Sequence, residues 1–137
     1  MDRPRQARFQ RWKDMDALTL VIAIPFAGVP IVVGLSWWMW LRIRESMGSR
    51  LRRTTLTVGV LAATTNAITY YSWLAYRVAS GGSPTGWRLN EMLGDDVGLP
   101  LCVLAAVGAV AGPGVIRVYL GLAAILGFLL WVNYGVL

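Results

Sequence analysis

The chain has 137 residues, enough for a single domain; 56% of them are hydrophobic, and the charged residues leave a net charge of +6. A water-soluble domain of this size must keep much of its surface wet, so the apolar excess excludes that class. There is no histidine, which removes the commonest haem and zinc ligand and the commonest general base.

Charge is distributed in blocks. No charged residue lies between Asp16 and Arg42, between Arg53 and Arg77, between Asp96 and Arg117, or beyond Arg117. Each gap is close to the ~20 residues that cross ~30 Å of hydrocarbon as a helix. Backbone groups in lipid must be satisfied within a helix or a closed barrel, and these runs do not alternate as barrel strands do. The expected fold is an all-α integral membrane protein, a bundle of four transmembrane helices with the first kinked at prolines. Residues 1–16 form a basic N-terminal tail or interfacial helix. Residues 17–137 form the membrane domain, with helices at about 17–41, 54–79, 97–112 and 115–137.

The tail carries Arg3, Arg5, Arg8, Arg11 and Lys13, with Phe9, Trp12 and Met15 recurring every three residues among the charges. That spacing suits a short helix lying on the membrane surface, or a tail ordered only near Trp12. The first apolar segment is long and is followed by arginines rather than a small-residue cleavage site, so it reads as retained rather than cleaved. Pro25 and Pro30 are expected to kink it. The alternative is a re-entrant hairpin turning near Gly28, which would need protein to cover its exposed backbone. Trp37, Trp38 and Trp40 close this segment, and Trp131 and Tyr134 lie near the end of the fourth; all five are expected as membrane-interface anchors. Arg42, Arg44, Arg50, Arg52 and Arg53 follow the tryptophans and are expected to face lipid headgroups.

The second segment is the most polar, and Asn66, Tyr70, Trp73 and Arg77 share one face of it at helical spacing. This face turns inward and bonds to neighbouring helices, lines a small polar cleft, or meets a partner protein. Small residues four apart permit close helix approach: Gly59, Ala63 and Ala67; Ala105 and Ala109; Gly108 and Gly112; Ala123 and Gly127. Ahead of the third segment, Glu91, Asp95 and Asp96 form the one carboxylate cluster. Asp95 or Asp96 is expected to cap the following helix, with a divalent-cation site including Asn90 as the alternative. The glycine–proline–glycine run at 112–114 predicts a tight hairpin, and Arg117 one turn later is placed to snorkel to the interface. Cys102 stands alone in an apolar run and reads as a small core residue.

No Asp, Glu, Lys or His lies deep in an apolar segment, which disfavours proton-coupled transport. No nucleophile–base pair or metal-ligand spacing is present, and serine or threonine hydroxyls without a base are not catalysts. The expectation is a small non-catalytic membrane protein without cofactor or bound metal, a scaffold or accessory subunit of a larger membrane assembly. The alternative is a binding protein or carrier for a lipid or hydrophobic solute. Its partners are the lipid bilayer and a membrane protein or a second copy of itself, not nucleic acid. Basic charge that is almost all arginine suggests a bacterial source, hence a multi-pass protein of the cytoplasmic (inner) membrane. Orientation is contested, because the tail and the first loop carry five basic residues each and both favour the cytoplasm.

Overall fold

The computed structural model describes the backbone of residues 3–81 and 91–134, and the side chains of residue 17, 19–81 and 91–132. Four helices and no strand occur among them: α1 (Arg3–Ile43), α2 (Arg50–Ala79), α3 (Leu99–Ala111, with a π-helical lead-in at Leu93–Gly98) and α4 (Val115–Tyr134). Three stretches are long and apolar enough to cross a bilayer: Thr19–Ile43, Leu93–Ala111 and Val115–Val132. The second helix is long enough, but its threonines, tyrosines and Asn66 lower its hydropathy.

The first helix is unbroken through Gly28, with Pro25 and Pro30 inside it. That continuity removes the re-entrant hairpin. It also carries helical backbone across the expected boundary at residue 16, so the basic segment continues the first span; its side chains lie outside the described residues. At 41 residues α1 extends roughly 60 Å, about twice the length of α4.

A proline within a helix cannot donate to the carbonyl four residues back. For Pro30 that carbonyl belongs to Phe26, and the Tyr71 hydroxyl of α2 donates to it. The Tyr71 ring also meets Phe26 edge-on, with centroids 5.2 Å apart. A neighbouring helix thus satisfies the group that proline leaves bare, which is how membrane helices tolerate proline. Tyr71→Phe is expected to destabilise the bundle by about 1 kcal/mol. In a Pro30→Ala background, where the helix again supplies the donor, the same change should cost little. A thermal-unfolding double-mutant cycle in detergent checks this, and equal costs in both backgrounds would refute the assignment.

The helices alternate in direction. Leu56 near the start of α2 lies against Gly112 beyond the end of α3, and Ile116 at the start of α4 packs on the same glycine. At the opposite end, Trp131 lies over Gly94 and Gly98. Helices α2 and α3 cross where Gly59 meets Gly108; a Cβ built on either would stand 2.5–2.6 Å from the other's Cα. Around that crossing Val60, Ala63, Ala67, Ala105, Ala109, Leu120 and Ala123 are buried. Large apolar side chains face outward instead: Leu20, Ile24 and Ile31 on α1, Val103 and Val110 on α3, Val118 and Ile125 on α4. Small residues and an amide inside with branched aliphatics outside is the distribution a lipid solvent favours. The outward face of α2 carries Val58, Leu61 and Ile68.

The third span begins earlier than expected, because a π-helical turn precedes it. In this turn the Leu99 N–H reaches the carbonyl of Gly94, five residues back. Pro100 would crowd the carbonyl four before it, and a wider turn just ahead relieves that crowding. Asp95 and Asp96 therefore lie within helical backbone, and neither end of the π-helical turn has a side-chain cap. The expected capping role is overturned, since the helix already continues through these residues. Among the described residues no three potential ligands cluster for a metal; Asn90 lies outside them.

Between α3 and α4, Gly114 adopts φ +53°, a left-handed conformation that glycine enters without strain. The exposed Arg117 side chain turns to the end of α3. Its Nε donates to the Gly112 carbonyl and its Nη2 to that of Val110, both at 3.2 Å. These lie at the end of α3, where carbonyls lack helical donors and a cation is favourable.

Candidate functional site

The face of α2 singled out from the sequence is turned into the bundle: Asn66, Tyr70 and Trp73 are buried, while Arg77 is half-buried. Asn66 is the key polar group. The Trp131 indole N–H of α4 donates to Asn66 Oδ1 at 2.8 Å, and Asn66 Nδ2 donates to Cys102 Sγ of α3 at 3.3 Å. An indole N–H can only donate, so it fixes which end of the amide faces α4 and leaves the amide hydrogens for the sulfur. One side chain thereby ties three helices together.

Two glycines make room for this arrangement. A Cβ at Gly127 would meet Asn66 Nδ2 at 2.5 Å, and one at Gly98 would meet Trp131 Nε1 at 2.5 Å. Aromatic rings close the same end. Tyr70 stands edge-on to Trp131 at 5.3 Å, with Trp73 tilted against both at 6.2–6.3 Å. The Arg77 guanidinium lies 5.7 Å from the Trp73 ring. The ends of α2 and α4 thus converge, as they must when helices alternate, and the convergence is filled by the rings themselves.

The expected interface anchors divide. Trp131 is 7% exposed and bonded within the bundle, so it is a core residue rather than a lipid-facing anchor; Asn66 supplies the partner that the interface would have supplied. Trp37 and Trp40 are partly buried, and each indole reaches α2: Trp37 to Thr64 Oγ1 at 2.8 Å and Trp40 to Thr57 Oγ1 at 3.0 Å. Each threonine passes its own hydrogen to the carbonyl four residues back, Thr64 to Val60 and Thr57 to Arg53. Trp38 alone of the three is half-exposed, with Arg42 stacked 4.1 Å from its ring. Tyr134 has its side chain outside the described residues.

Arg42, Arg44, Arg50, Arg52 and Arg53 gather at one end of the bundle with Arg117. Arg44 lies 5.5 Å from the Trp40 ring. Between the end of α1 and the start of α2 an open groove of about 310 Å³ is lined by Trp40, Arg44, Glu45, Arg53 and Thr57. This groove was not legible in the sequence, since it depends on how the two helices diverge below the loop.

A bundle with three helices apolar enough to span, aliphatics outward and amide and indoles inward is the construction of a multi-pass membrane protein. Comparison with family models, curated proteins and solved structures finds no match to this chain.

Proposed function

We propose that the chain is a non-catalytic membrane protein that acts as a scaffold or accessory subunit of a larger membrane assembly. The observation that carries this reading is the Asn66 network. The amide bonds to Trp131 and Cys102, and tight glycine contacts leave no room around it for a solute. A carrier needs polar groups turned towards an open cleft; here they hold helices together. The exposed aliphatic face of α1 then serves lipid and a partner.

Extraction in a mild detergent, followed by native gel and mass spectrometry, should recover a second membrane protein at fixed stoichiometry. A lone monomer that retains a hydrophobic solute, and loses it on Asn66→Leu while still accumulating, would favour the carrier instead.

The same reading makes α2 the fourth crossing and bends the first helix at Pro25 and Pro30. It places the protein in a bacterial cytoplasmic membrane, with the arginine-rich end inside and both termini outside. Single cysteines at Gln6 and Ser49 in a Cys102→Ala background test the orientation with an impermeant thiol reagent on intact cells. Gln6→Cys should label and Ser49→Cys should not; equal labelling of the two sinks the assignment.

A further inference from the structure

We propose that the groove between the end of α1 and the start of α2 is a binding site for the phosphate headgroup of an anionic phospholipid, held by Arg44 and Arg53. Its place in the bilayer comes first. The apolar stretch of α1 runs to Ile43 and closes on Trp38, Trp40 and Arg42, so in a crossing helix Arg44 falls in the headgroup region where phosphodiesters lie. The groove, at about 310 Å³, has the volume of roughly ten waters, room for a phosphodiester and its glycerol.

The polar groups of the floor are already committed. The Trp40 indole donates to Thr57 Oγ1, and the Thr57 hydroxyl donates to the Arg53 carbonyl. What the groove still offers is the donor capacity of two guanidinium groups. Arg44 is held against the Trp40 ring, which orders the side chain while leaving its N–H groups able to donate. Among the described residues neither Arg44 nor Arg53 forms an ion pair, although Glu45 lines the same groove.

The surroundings intensify the field. The first turn of α2 contains no acidic residue and holds Arg50, Arg52 and Arg53, cations at the helix end that repels them. Arg42 and Arg117 add to the same end of the bundle. A bound anion relieves this repulsion. Planar guanidinium groups match a phosphodiester with paired hydrogen bonds, whereas a zwitterionic lipid would bring its own cation into the cluster. The single Glu45 disfavours deep entry of a second negative charge and suits a headgroup with one phosphate.

The test compares two variants with the same loss of charge. Wild-type protein, Arg44→Gln/Arg53→Gln and Arg50→Gln/Arg52→Gln are reconstituted in nanodiscs containing phosphatidylglycerol or phosphatidylcholine, released into mild detergent and examined by native mass spectrometry. All four arginines are exposed, so helix content and elution volume should match throughout. If a double variant fails to accumulate, the single changes Arg44→Gln and Arg53→Gln carry the same comparison. Wild-type protein should retain one phosphatidylglycerol and no phosphatidylcholine. The groove variant should reduce that adduct at least tenfold, and the Arg50/Arg52 variant should keep it within about threefold. Equal loss in both double variants would mean diffuse attraction to a charged surface and overturns the site, as does equal retention. Displacement of the lipid by inorganic phosphate at millimolar concentration would assign the groove to a free anion and overturn the lipid assignment.

Discussion

Gly108→Ala is expected to drive α2 and α3 apart and to be the most damaging single-methyl change in the bundle. The added Cβ would stand 2.5 Å from the Gly59 Cα and 3.1 Å from Leu120 Cδ2. A leucine methyl can rotate aside, but a helix backbone cannot. The helices must separate, and the loss extends to Ala63, Ala67, Ala105 and Ala109, which pack only while the backbones stay close. The cost should reach the upper part of the overpacking range, about 3 kcal/mol. Gly34→Ala and Gly121→Ala are the matched controls. Nothing lies within 4 Å of a Cβ at either position, and alanine favours a helix over glycine by up to about 1 kcal/mol. These two should be neutral or stabilising, so the sign of the effect separates the cases. Reversible unfolding in mixed micelles reads it directly, and a Gly108→Ala protein as stable as the Gly121→Ala protein would refute the crossing.

The small residues that make this crossing were legible in the sequence. Spacing of four identifies Gly59, Ala63 and Ala67 as one face, and Gly108 with Gly112 and Ala105 with Ala109 as others, and these residues are the ones that pack. Which face meets which is a pairing between segments some fifty residues apart, and periodicity within one helix carries no information about it. The same limit explains Trp131. Its place near the end of a span, which alone suggests an interfacial anchor, is shared by belt residues and by core residues whose N–H finds a partner on another helix. Asn66 was recognisable as a group in need of that partner; the partner itself was not. Tyr71 shows the converse case. Pro30 leaves the Phe26 carbonyl without a donor by simple counting along the chain, but the donor comes from forty-five residues away. Asp95 and Asp96 misled for a local reason: acidic residues ahead of an apolar run resemble a cap, and the π-helical turn had already started the helix before them.

Asn66→Leu should cost about 2 kcal/mol, and the competing effects decide why it is neither negligible nor fatal. Leucine adds no large volume, yet it removes the acceptor for the Trp131 indole, and an unpartnered buried donor costs about 1–3 kcal/mol. Contacts between membrane helices are weaker than that figure suggests, averaging about 0.6 kcal/mol, because the separated helices also find partners. Here one amide serves two neighbours, and Gly127 holds it without slack, so the effect should exceed that average. Trp131→Phe removes the donor that Asn66 must satisfy. If the pair is coupled, Asn66→Leu/Trp131→Phe should be more stable than the sum of the single changes by about 1 kcal/mol, outside ordinary additivity error. Additive costs would mean that the two side chains do not share a bond. A cycle that closes with unaltered stability but loses a bound solute would make this face a ligand site instead. The bonded geometry favours the first outcome, because the Asn66 oxygen already meets an indole, its nitrogen meets a thiol, and the close approach of Gly127 leaves no space beside that nitrogen for a third group.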